Sequence, residues 1–325
     1  MQIHLLGYIV TQASQSNPYR RAESEIQLAI PLALKNACGM ENGMKYVIVA
    51  ETGSDITKEL AKEYGIYLVP MHVSFGSETK DDGTFPVEEL FEYYKRTGDL
   101  PKTSASMPID FEKAFDEIHE KMPDAHILHL AYSAATTCSY QNAVIASEDR
   151  DYVTSIDTKH VSAGQAIIVY EMVKYLKDNP EATIEEITAK VNELAESCKM
   201  GFFPGDLAYL KAGGRVSNAA YIGAKLLGIT PLIELIDGTL QGTKKYRGSV
   251  MRIAKKFFGE FVTEKKLKKD RIAFVNAKGL DDKVKVLYEE LAKEYGFKEV
   301  LWISTGGVIS SHSGPGGFGI AGFSE

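Results

Sequence analysis

Residues 45–64 read KYVIVAETGSDITKELAKEY. An apolar run, Tyr46-Val47-Ile48-Val49, ends in a small polar turn, Glu51-Thr52-Gly53-Ser54-Asp55. Asp55 is placed to cap a helix from Ile56 to Tyr64, because a side-chain oxygen there can accept a free amide of the first turn. A short apolar strand feeding a helix through a polar turn is the unit of parallel sheets covered on both faces. The unit recurs. Tyr67 to Phe75 reads as a strand and Pro86 to Thr97 as a helix, and Asp110 is placed to cap a helix from Phe111 to Lys121. His126 to Tyr132, Ser139 to Ser147 and Tyr152 to Ile156 continue as strand, helix and strand. Two amphipathic helices, Ala163 to Lys177 and Ile184 to Lys199, follow.

Near Cys198 to Gly201 the pattern changes. Helices are expected at Asp206 to Lys211 and Ala219 to Leu227. Strands Leu232 to Ile236 and Thr239 to Thr243 flank Asp237-Gly238, a pair suited to a two-residue hairpin turn. Helix, strand, helix and strand follow at Ser249 to Phe261, Arg271 to Asn276, Asp281 to Tyr295 and Glu299 to Ile303, ahead of a glycine-rich segment, Gly306 to Phe323. The fold class is therefore α/β in two lobes. The N-terminal lobe has a mainly parallel sheet with helices on both faces, and the C-terminal lobe is also α/β. The expected division is 44–199 and 200–325, since 325 residues exceed what one core usually spans. Residues 1–43 lack a sustained period and read as an extension outside the fold, with a short helix at Glu23 to Lys35.

The composition, 44% hydrophobic and 25% charged, is that of a globular protein, and the net charge of -7 argues against nucleic acid as a partner. The basic run Lys265 to Lys269 reads as a solvated helix end. Three cysteines, Cys38, Cys138 and Cys198, without CxxC spacing make neither a disulfide framework nor a zinc site. Together with the lack of a membrane-length apolar run and of a basic, cleavable N-terminus, they lead to a cytoplasmic expectation with no stable membrane insertion.

Several motifs fail on inspection. Gly314, Gly316 and Gly319 satisfy G-x-G-x-x-G, but a dinucleotide site needs a further strand and acid downstream. Neither a P-loop nor a G-x-S-x-G elbow is present. His126 and His129 are three apart on a strand and face opposite ways, so they make a poor metal pair. No cofactor is expected.

Four polar segments remain, each at a strand end or helix start, where α/β proteins bind ligands. They are Glu51 to Asp55, Thr103-Ser104-Ala105-Ser106-Met107-Pro108, Ser133 to Gln141, and the pair Lys211 to Ser217 with His312 to Gly316. Hydroxyls and backbone amides of the second can cradle a carboxylate, Arg215 is a planar cation suited to carboxylate or phosphate, and His312 sits beside open glycine backbone.

In this order the segments resemble those of the DegV family, the fatty-acid-binding proteins of Gram-positive bacteria. The family's L-K-x-G-G-R-I-S turn is nearly intact at Leu210 to Ser217, and its H-T-G-P-G signature at His312 to Gly316. Glu51 to Ile56, Val69-Pro70, Thr103 to Met107 and Ser133 to Gln141 match further motifs. The resemblance implies a long-chain fatty acid buried between the lobes, its carboxylate held by Thr103, Ser104 and Ser133 near Arg215 and His312. It also implies a non-enzymatic lipid-binding subunit that presents the acid to a separate fatty acid kinase, which makes an acyl phosphate for phospholipid synthesis. His312 would at most assist that phosphoryl transfer. The sequence departs from the pattern at Ala134, Ala135 and Cys138, and at Thr230-Pro231, where the family has Lys-Pro. Two other readings use the same residues: a sensing module for another small molecule, and a hydrolase or transferase working through His312.

Overall fold

The computed structural model describes residues 45–214 and 228–325. The expected helices at Glu23 to Lys35 and Ala219 to Leu227, the extension 1–43 and Arg215 lie outside the described residues.

The first lobe is built on a parallel sheet of four strands in the order β2-β1-β6-β7. These are β1 (Tyr46–Glu51), β2 (Ile66–Val69), β6 (His126–Ala131) and β7 (Val153–Asp157). Successive side chains on a strand point to opposite faces. On one face Val47, Val49 and Ile127 pack against Phe111, Phe115 and Ala143 of helices α3 (Pro108–Lys121) and α4 (Ser139–Ala146). On the other, Ile48, Ala50, Leu128 and Leu130 meet helix α5 (Ser162–Asp178). Helix α1 (Lys58–Tyr64) joins β1 to β2.

The strand expected from Tyr67 to Phe75 is two strands. Pro70 has no amide to donate to a ladder, and the chain leaves the parallel sheet there. It enters a small antiparallel sheet of order β4-β3-β5, formed by β3 (His72–Phe75), β4 (Glu78–Asp81) and β5 (Lys102–Ser104). Helix α2 (Glu88–Thr97) lies between β4 and β5 in the chain.

Two caps differ from expectation. Thr57, not Asp55, caps α1, its hydroxyl accepting from the Leu60 amide. Helix α3 begins at Pro108, and Asp110 sits in its first turn, accepting from the amide of Met107 at 2.7 Å.

The second lobe carries a mixed six-stranded sheet of order β10-β9-β8-β13-β11-β12. Its strands are β8 (Cys198–Phe203), β9 (Thr230–Ile236), β10 (Thr239–Tyr246), β11 (Arg271–Asn276), β12 (Glu299–Ser304) and β13 (Phe318–Phe323). Helix α6 (Ile184–Ser197) runs straight into β8, and a short helix, α7 (Leu207–Ala212), follows. Asp237 and Gly238 turn the β9–β10 hairpin, both with positive φ (49° and 76°), as a two-residue primed turn requires. Helices α8 (Val250–Glu264) and α9 (Asp282–Glu294) cover one face, where Phe257, Phe258 and Tyr288 pack on Phe203, Phe274 and Ile320. The glycine-rich tail is a helix, α10 (Gly307–Ser313), followed by β13, which pairs with β8 and β11 inside the sheet.

Helix α5 is not the one-faced amphipathic helix expected. Ser162 through Val169 are all buried, because the helix is clasped between the two sheets. Ala166, Ile167 and Met172 belong to one core with Ile48 and Leu128 of the first sheet and Met200, Ala273, Val275 and Ala321 of the second.

Candidate functional site

The two sheets and α10 enclose a cleft with about 790 Å³ of empty space, counting its mouth. Its apolar wall includes Met71, Val161, Met200, Phe202, Leu240 and Val308. Its polar lining includes Thr103, Ser104, Thr136, Thr137, Ser162 and His312.

Thr103 is fixed by the small sheet, where it stands opposite Val73 of β3. The loop beyond it is tied at its far end. Asp110 accepts the Met107 amide and also contacts His72 Nε2 at 2.9 Å, while His72 Nδ1 reaches Asp81 at 2.9 Å. His312 comes from the last turn of α10. Its ring lies so close to Gly213, at the end of α7, that a Cβ there would stand 2.0 Å from Nδ1. Only glycine admits the ring, which gives the Gly-Gly turn a steric reason. Held this way, His312 Nε2 and Thr103 Oγ1 share a hydrogen bond of 2.8 Å.

Of the residues chosen from sequence, the cleft thus brings together Thr103, Ser104 and His312. Ser133 is buried, and its hydroxyl donates to the Gly238 carbonyl at 2.7 Å, tying the first lobe to the β9–β10 turn; it does not line the cleft. Thr136 and Thr137 of the same loop do line it. Both lie within the segment Ser133 to Gln141, where nothing in the sequence ranks one hydroxyl above another. Ser162, Thr305 and Ser313 also contribute, and single hydroxyls at helix or strand ends carry no signal of their own in a sequence.

Two buried acid centres stand behind the cleft. Glu51, at the end of β1, accepts from the Tyr132 amide (2.9 Å), Ser139 (2.9 Å) and Gln165 (3.0 Å), and its other near neighbour is His129 at 3.2 Å. Burial alone would push its carboxyl up; the His129 charge and hydrogen bond, with the Tyr132 amide and Ser139, outweigh this and hold it below the usual range. Asp55, in the left-handed region at φ 60°, accepts from the hydroxyl of Ser162 and from the Gly306 amide at 2.7 Å. Asp82 accepts from the Gly307 amide at 2.7 Å. Burial pushes the Asp55 carboxyl well above its usual value, against the pull of Ser162 and Gly306 and with a smaller push from the Asp82 charge; burial raises Asp82 as well.

Among the described residues no cluster of three or more His, Cys, Asp or Glu side chains could hold a metal, and no helix is long and apolar enough to cross a membrane.

An apolar cleft between two α/β lobes, with a hydroxyl and an imidazole joined on its wall, has the chemistry of a pocket for a mostly apolar molecule with one polar end. The chain belongs to the DegV family, whose model, described as an uncharacterised protein family, matches residues 45–325. A fatty acid-binding protein of Thermotoga maritima is 28% identical over 291 residues, covering 85% of this chain and 98% of that one. A DegV domain-containing protein of Staphylococcus aureus (strain COL) is 28% identical over 280 residues, with the same coverage. Among solved structures, a fatty-acid-binding DegV family protein from Thermus thermophilus superposes with a TM-score of 0.77 at 26% identity, covering 87% of this chain and all of that one. A DegV lipid-binding protein from Thermotoga maritima superposes at 0.73, also at 26% identity, over 86% of this chain and 98% of its own.

Proposed function

We propose that this protein binds a long-chain fatty acid in the cleft, with the hydrocarbon along the apolar wall and the carboxylate at Thr103, Ser104 and His312. The observation that carries the reading is the Thr103–His312 hydrogen bond on the wall of an otherwise largely apolar cavity. A buried carboxylate is tolerable only where donors and positive charge meet it, and a hydroxyl beside an imidazole can supply both. About 15 methylenes at roughly 0.8 kcal/mol each give a gross gain of about 12 kcal/mol. Association takes up a comparable roughly 4–15 kcal/mol, so the contacts to the head group decide how tightly the acid is held. Arg215 is proposed as a further cation at the head group, from the family resemblance; Ser133, its hydroxyl donating to the Gly238 carbonyl, is proposed to act there by fixing the loop that carries Thr136 and Thr137.

The finer part of the proposal is that the protein is a carrier without turnover of its own. It presents the carboxylate to a separate kinase, and the acyl phosphate formed there enters phospholipid synthesis. This rests on the family resemblance, and the exposure of Ser104 at the cleft supports it.

Native mass spectrometry of the freshly purified protein, followed by lipid analysis after unfolding, tests the binding. A bound C14 to C20 fatty acid, weakened by Arg215→Ala, is expected. A protein that arrives empty and ignores added fatty acids would overturn the reading.

A further inference from the structure

Asp55 and Asp82 take no part in lining the cleft, yet both are almost fully buried and both point at one place in the other lobe. A Cβ on Gly306 would stand 3.3 Å from one Asp55 oxygen and 3.4 Å from each Asp82 oxygen. On Gly307 it would stand 2.7 Å from Asp82 Oδ1 and from the Phe85 ring. The Gly306-Gly307 pair therefore lets two carboxyl groups of the first lobe close on the amino end of α10 and take its two leading amides. Those amides have no partner within the helix, so the acids act as a cap brought in from 251 and 225 residues away. The other end of α10 carries His312, which meets Thr103 of the first lobe. The helix is thus pinned to the first lobe at both ends.

The Asp55 side chain has a second partner. Ser162, a cleft-lining residue, donates its hydroxyl to the remaining Asp55 oxygen. Both residues hold positive φ, 60° and 48°, which is uncommon for residues with a side chain and persists only where surrounding contacts fix it. Two strained residues bonded to each other beside a binding cleft are more than a helix stop requires.

We propose that Asp55 and Asp82 are positioning residues for the ligand carboxylate. By fixing the amino end of α10, they set where His312, at its other end, stands against Thr103. The inference rests on the proposed binding of a fatty acid at those residues.

A double-mutant cycle tests it, with hexadecanoic acid as the probe. Asp55→Ala is expected to weaken binding at least tenfold in the wild-type background and no more than twofold in a His312→Ala background, since it acts through the histidine. The His312 imidazole, followed by NMR against pH, is expected to titrate differently in Asp55→Ala and unchanged in Glu289→Gln, a control that disturbs only the far-side contact with Trp302. Affinity within twofold of wild type for Asp55→Ala, or equal loss in both backgrounds, would overturn the inference. If Asp55→Ala does not fold, Asp55→Asn and Gly306→Ala carry the same cycle with the same criteria. A wild-type protein that binds no fatty acid would defeat the functional reading alone. The NMR comparison would then decide the positioning role, an unmoved His312 titration overturning it.

Discussion

His312 and Thr103, 209 residues apart in the chain, share a hydrogen bond of 2.8 Å across the two lobes. Each is brought there by a separate constraint: a three-residue strand for the threonine, and a helix wedged against a side-chain-free turn for the histidine.

A hydrogen bond to a charged group contributes about 1.5–3 kcal/mol, or roughly 10- to 150-fold in affinity. Thr103→Val and His312→Ala are each expected to weaken hexadecanoic acid binding by about that factor. Isothermal titration checks this, and affinities unchanged within twofold would remove both residues from the head-group site.

Ser133→Ala is expected to act first on stability. Its hydroxyl is held by Gly238, and deleting it leaves a buried carbonyl without its donor, at a cost of about 1–3 kcal/mol. Urea unfolding should show this loss, with a smaller effect on affinity than that of Thr103→Val.

Glu51→Ala is expected to be among the most damaging substitutions, by about 3–5 kcal/mol, because it strands His129 and three donors in the core. Since the folded carboxyl titrates below its ordinary value of 4.5, its contribution is present above that pH and is lost as pH falls through the folded value. Urea midpoints of wild type and Glu51→Gln should therefore converge in acid.

His160 brings a loss of stability at milder pH. Burial lowers its pKa to about 4, with a small further push from Lys199, although the Ala195 carbonyl favours the charged form. The unfolded chain takes up this proton near 6.5 and the folded one only near 4, so stability falls as pH drops through that window. The loss is on the order of 3 kcal/mol. His160→Gln should flatten the urea midpoint between pH 6.5 and 4, and an unchanged slope would rule this histidine out.

The alternation of strand and helix was legible because each central strand is a short apolar run between polar turns, as at Tyr46 to Val49. The short strands were not. Glu78–Asp81 and Lys102–Ser104 are too polar and brief to show a period, and β13, with its glycines, reads as loop until β8 and β11 are seen beside it. Asp55 departs from its expected capping role for a related reason: it caps α10 instead of α1. A sequence shows which helix follows an aspartate, not which helix from another lobe arrives beside it. The site divides the same way. Thr103, Ser104 and His312 stood in recognisable motifs, whereas Thr136, Ser162 and the acids behind them depend on tertiary placement.

The burial of α5 between both sheets bears on how a ligand gets in. Swinging the lobes apart as rigid bodies would strip Ile167, Met172 and their neighbours of cover, at about 1.5–3 kcal/mol for each large side chain exposed. A hinge of that kind is too costly to serve each round of loading and release in the proposed carrier role. Traffic through the cleft must instead pass by small local openings at its mouth, with the shared core acting as a fixed keel beneath them.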